Sequence, residues 1–321
     1  MPAFGIQCNF IESQLNSKKM KNFMYFTSAM LILFKISWAQ DKANPVNLEE
    51  LKGFTQTYYY SPGHVKRAKH IASFMENAIF FFQNEIMYTP KTIMFILGPQ
   101  HWRTYAAEGL RDVYGFPHNI DHIHLAIAAE DNDFWRSFLP PVDQLPPNMA
   151  VQVTKAYGNV DGTYSMRPFF DLLALHEMGH SYTAQSGLKT HRYWMEELFV
   201  NIMLHTYIAE KQPELLPALE TFPEMVVGTG TAEYEFTSLE DFEQLYTTLG
   251  MGPKNYGWYQ CKFHSAAKDI YNSGGKMVLV KLWKAFLLHQ EELSDEEFTD
   301  MLQKEVHPSV ANVFLKWNET D

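Results

Sequence analysis

Apolar positions along this chain recur with two periods, and the change from one to the other divides it. From Phe54 to about Thr163, short β-rich runs surround one helical stretch. TQTYYY near Thr55 and TIMFILG from Thr92 predict strands, and HVKRAKHIASFMENAIFFFQNEI from His64 has the spacing of an amphipathic helix. In HIHLAIA, Ile123, Leu125 and Ile127 alternate with His122, His124 and Ala126, which predicts a further strand. FLPPVDQLPPN from Phe138 and YGNVDGTYS from Tyr157 are proline- and turn-rich connections, and MAVQVTKAY between them reads as a strand.

After Met166 the strand signals fade. Helical spacing takes over around Phe169 to Ala184, Trp194 to Glu210, Leu239 to Leu249, Trp258 to Asn272 and Lys276 to His289. The expected fold is α+β: an N-terminal mixed α/β lobe with a small sheet over 40–165 and a mainly helical lobe over 166–321, sharing one cleft. No internal repeat interrupts this division.

Composition supports a packed protein. Hydrophobic residues make up 46% of the 321 positions and charged residues 20%, a globular balance and not a disordered or fibrous one. Lys18, Lys19 and Lys21 precede an apolar run from Phe23 to Phe34, and Ser37-Trp38-Ala39 offers small residues for cleavage, the pattern of a signal peptide. The run is about twelve residues, short of the roughly twenty a spanning helix needs. The expectation is a start at Met20, cleavage after Ala39, residues 1–39 as extension and leader, and a secreted or periplasmic product without a stable membrane span. Losing residues 1–39 removes four lysines against one glutamate and takes the net charge from −11 to about −14. Such an acidic chain is a poor partner for nucleic acid. Only Cys261 would remain, which excludes an internal disulfide.

The chemistry concentrates in LLALHEMGHSY. His176 and His180 are four apart, so on a helix both imidazoles project from one face and can take adjacent corners around a zinc ion. Glu177 lies beside that face, where a general base acts on a water whose pKa the metal has lowered. A match of this form arises by chance in roughly four chains of a hundred with this composition, so a third ligand is needed. YWMEELFVNIMLHTY from Tyr193 follows the turn-like QSGLKTH and carries Glu196 and Glu197 on a second helix. A third histidine in the pattern H-x-x-G-x-x-H is excluded by Thr183 and Ser186, which sets His191 aside.

These segments resemble the gluzincins, zinc peptidases whose third ligand is a glutamate, including thermolysin-like and aminopeptidase-N-type enzymes. Trp194-Met195-Glu196-Glu197-Leu198-Phe199 is similar to their W-L-N-E-G-F motif, which implies Glu197 as the ligand and leaves Glu196 facing solvent. The spacing departs from theirs, with Glu197 seventeen residues after His180, and Leu198 replaces a small residue. The resemblance implies a zincin-like fold with one zinc ion in the cleft and a peptide or protein substrate. Asn201, one turn beyond Glu197, is placed to accept from the second nitrogen of a zinc-binding histidine. YGWYQCKFHSAAKDIYNSGGKMVLVKLW resembles the late helix that supplies an oxyanion-stabilising tyrosine, which implies Tyr259, with Tyr256 as the runner-up. The strand at His122 is the expected edge platform for substrate backbone. Ala128-Ala129-Glu130-Asp131-Asn132 only loosely matches the aminopeptidase G-A-M-E-N motif and argues against exopeptidase activity. The function expected is a secreted zinc metallopeptidase. The rivals are a binding or scaffold protein with a non-catalytic zinc site and a zinc hydrolase of a non-peptide amide or ester.

Overall fold

A computed structural model describes residues 45–248 and 250–319; the leader expected over 1–39 lies outside them. The fold is α+β. Five strands, β1 Glu49–Leu51, β2 Thr57–Tyr60, β3 Ile93–Leu97, β4 His118–Asn119 and β5 His124–Ala128, form one sheet in the order β1-β2-β3-β5-β4. The β2, β3 and β5 strands are parallel, and the two edges, β1 and β4, are antiparallel to their neighbours. The parallel pair β2 and β3 needs a crossover, which α1, Val65–Ile86, supplies. Its buried Ala68, Ile71, Ala72, Met75, Ala78, Ile79, Phe82 and Ile86 keep one stripe against the core, and Met87 in the left-handed conformation stops it.

Short helices α2, Pro99–Tyr105, and α3, Asp133–Arg136, flank the later strands. MAVQVTKAY is not a strand but part of a helix, α4, Pro147–Tyr157. Val153 and Tyr157 are buried and Met149 packs against the core, a spacing of four, whereas Val151, which a strand would place beside Met149 and Val153, is 69% exposed. Pro147 at the start of the helix costs nothing there because the first turn's N–H groups have no helical partner.

The helices that follow are α5 Arg167–Ser186, α6 Tyr193–Lys211, α7 Leu216–Val227, α8 Leu239–Leu245, α9 Gly252–Gly274, α10 Met277–Leu288, α11 Asp295–Met301 and α12 Pro308–Leu315. Helix α7 carries no clear sequence signal because it contains Pro217 and Pro223. The expected helix from Leu239 ends at Leu245, and the one expected from Trp258 begins six residues earlier, at Gly252. One continuous core joins Tyr58 and Ile96 in the sheet to Phe199, Phe263 and Trp317 among the helices. Within it α5 packs on β4 and β5 and on α6, and α6 packs on α9, so α5 links sheet to helices.

Candidate metal centre

Helix α5 presents HEMGH to the start of α6. Gly187, in the left-handed conformation at φ 79°, ends α5 and lets the chain turn back. Gly179 sets how closely the two helices meet: a Cβ there would lie 2.8 Å from the Cβ and Cγ1 of Val200. That close approach brings Glu197 to the histidines.

His176, His180 and Glu197 form a group whose ligand atoms all lie within 4.8 Å of one another. His176 Nε2 is 3.3 Å from Glu197 Oε2, and His180 Nε2 is 3.8 Å from Glu197 Oε1. Ligands bound to zinc at 2.0–2.1 Å with tetrahedral angles sit about 3.4 Å apart. The donor set therefore fits one metal ion: two imidazole nitrogens and a carboxylate.

The surroundings orient each donor. Asn201 Oδ1, which only accepts, lies 3.1 Å from His176 Nδ1, so Nδ1 donates and Nε2 keeps a lone pair for a metal. Asn201 is itself fixed by donation to the Glu197 carbonyl at 3.0 Å. Glu196 is not the solvent-facing residue expected from the sequence. Its Oε1 accepts from Thr183 Oγ1 at 3.0 Å and lies 3.4 Å from His180 Nδ1, so it orients His180 as Asn201 orients His176. Both oxygens of the buried Glu197 also accept hydrogen bonds, Oε1 from the Tyr246 hydroxyl at 2.6 Å and Oε2 from Gln260 Nε2 at 2.8 Å.

The charges are strongly coupled. Burial alone would raise the Glu197 carboxyl, but the imidazoles of His180 and His176 outweigh it and hold it well below the usual carboxylate range. Burial would likewise lower His180, yet the carboxylates of Glu197, Glu196 and Glu177 push it up to about 9. Without a metal the proton on His180 and the Glu197 carboxylate compensate each other, and a metal ion bound to the same atoms would take the place of that proton.

Glu177 is held from the sheet. Its Oε2 accepts the backbone N–H of Asn119 at 2.8 Å, and Asn119 Nδ2 donates to the Glu177 carbonyl and to Ser181 Oγ, each at 3.0 Å. Asn119 belongs to β4, the edge strand, so the sheet and the helix that carries the candidate ligands are tied at the residue beside His176. The strand at His122 is not that edge. It begins at His124 and lies between β3 and β4, with the His124 ring stacked on Phe95.

The structure does not bring Tyr259 to this group. Its hydroxyl donates to the Ser238 carbonyl at 2.6 Å, fastening the first turn of α8, and its ring packs on Phe242, Trp258 and Trp317. Tyr256, one turn earlier on α9, does face it. Burial raises its hydroxyl well above the usual phenol range, with Glu197 and Glu177 adding to the rise, so it stays protonated. Two further neighbours carried no sequence signal. Tyr246 is the C-cap of α8, and His264, on α9, is buried with its ring 6.3 Å from that of His176. His191 lies elsewhere, its ring between Phe286 and Phe298. Asn132 caps α3, with its Oδ1 accepting from the Trp135 N–H at 3.0 Å.

Comparison of the chain with protein-family models, with curated proteins and with solved structures gives no match.

Proposed function

We propose that this chain is a zinc-dependent metallopeptidase of gluzincin type, exported to the periplasm or outside the cell, with its site in a cleft between the sheet-bearing and helical parts. The observation that carries the reading is the group His176, His180 and Glu197 with Glu177 beside it, each imidazole oriented through its other nitrogen. Two histidines and one carboxylate leave a fourth position open, the mark of a catalytic and not a structural zinc site. Zinc, when bound, lowers the pKa of water and polarises a carbonyl.

The remaining steps belong to the chain's own side chains. Glu177, steadied by the Asn119 N–H, takes the proton of the attacking water and later delivers it to the leaving amine. Tyr256 takes the role the sequence resemblance gave to Tyr259: its protonated hydroxyl donates to the oxyanion that forms at the peptide carbonyl. Export rests on the leader pattern of residues 20–39. Among the described residues no helix is long and apolar enough to cross a membrane.

The test is cleavage of a peptide library, mapped by mass spectrometry, beside a set of small non-peptide amides and esters. Cleavage of peptides that stops on chelation and returns with zinc is expected. Turnover of the small amides or esters alone would replace the peptidase reading with the broader hydrolase one.

A further inference from the structure

Beside the metal group a column of aromatic rings runs out of the core and ends in solvent. Phe242, fully buried, lies 5.1 Å from Tyr246 between ring centroids, and Tyr246 lies 5.2 Å from Tyr193 with the two rings at 25°. Tyr193 is the open end, 41% exposed. The column touches the proposed chemistry, because the Tyr246 hydroxyl is the one that donates to Glu197 Oε1. Tyr193 precedes Glu197 by four residues on α6, so the exposed ring and the third ligand project from the same helical face.

The position of Tyr193 is fixed from its main chain. Its N–H donates to the Glu243 carboxylate at 2.9 Å, which anchors the first turn of α6. The charges around the ring are already engaged. Glu243 accepts from the Tyr193 and Trp194 amides, Glu196 from Thr183, and Arg192 pairs with Asp295 at 2.7 Å. A ring pinned in this way, one helical turn from Glu197 on the same face, offers an aromatic surface beside the proposed reaction centre. Aromatic side chains gain from such a surface through ring quadrupoles as well as buried area, whereas aliphatic ones gain area alone.

We propose that Tyr193, stacked on Tyr246, forms the wall of a substrate side-chain subsite and selects an aromatic residue next to the cleaved bond. This deepens the metallopeptidase reading and rests on it.

The full chain, loaded with zinc, is assayed on peptides that differ only at the residues flanking the cleaved bond, set to Phe, Leu, Ala, Asp or Arg. The kcat/KM for Phe is expected to exceed that for Ala by about tenfold, the upper range of one aromatic pair. Tyr193→Ala brings that ratio to within about twofold of one, and Tyr193→Phe keeps it. The same peptides are titrated against Glu177→Gln, which reads the preference in Kd without turnover; the same order is expected. A flat ratio, a ratio unchanged in Tyr193→Ala, or a preference for Arg overturns the subsite. Absence of hydrolysis with the binding order intact overturns the peptidase reading and leaves the subsite standing.

Discussion

Replacing Tyr246 by Phe removes one oxygen from the buried surroundings of Glu197 and little else. The ring keeps its stacking on Tyr193 and Phe242, while Glu197 Oε1 loses a 2.6 Å donor and is left with Gln260 on the other oxygen. A hydrogen bond to a charged group contributes about 1.5–3 kcal/mol. Part of that is lost from the metal-free and metal-loaded states alike and so cancels in binding. What does not cancel is the orientation of the carboxylate, and loss of such outer partners weakens metal affinity by about 10- to 100-fold. Because Gln260 still holds Oε2, the lower end applies: a roughly tenfold rise in the zinc Kd. Competition with a fluorescent chelator measures it, with circular dichroism confirming the fold. A Kd within twofold of wild type in a folded variant would refute the claim that Tyr246 orients the third ligand.

Three further outcomes follow from the same geometry. Gly179→Ala drives a methyl into Val200 and should cost about 1–3 kcal/mol in a denaturant titration, partly recovered by adding Val200→Ala; full stability would mean that α5 and α6 meet less closely than described. Tyr256→Phe should lower kcat while Tyr259→Phe lowers stability by about 1 kcal/mol through the lost bond to Ser238, and the reverse pattern would return the oxyanion role to Tyr259. His118 is held neutral by burial, its Nδ1 donating to the Phe116 carbonyl and its Nε2 accepting the Ala107 N–H. Its folded pKa is therefore depressed. The unfolded chain binds a proton first, and stability present above pH ~6.5 falls as the pH drops below it, by up to about 1.4 kcal/mol per pH unit. Denaturant midpoints between pH 7.5 and 5 should show a shallower fall in His118→Gln; equal slopes would exclude His118 as the source.

How much of this was legible from the residues depended on whether the information was local. His176 and His180 were legible because four-residue spacing on one helix puts both on one face, and Asn201 followed from Glu197 by the same spacing, whereas the choice of Glu197 over Glu196 came from the resemblance to the W-L-N-E-G-F motif. The partners across helices were not. Whether Tyr256 or Tyr259 faces the candidate metal ligands depends on where α8 lies against α9, and both tyrosines fit an aromatic helical pattern equally well. Glu196 was misread for the same reason, since its partner Thr183 sits on another helix. The edge strand that holds Glu177 is two residues long, too short to show a period, so the longer His124–Ala128 strand drew the edge assignment instead. MAVQVTKAY carries β-branched residues, yet burial of Val153 and Tyr157 decided for a helix.

The central claim, that Glu177 is the base beside a metal held by His176, His180 and Glu197, is tested most directly by measuring zinc content and peptide turnover together on Glu177→Gln. One zinc per chain with kcat reduced by about 10²-fold or more is the predicted result. Turnover near that of the wild-type chain at equal zinc content would contradict it.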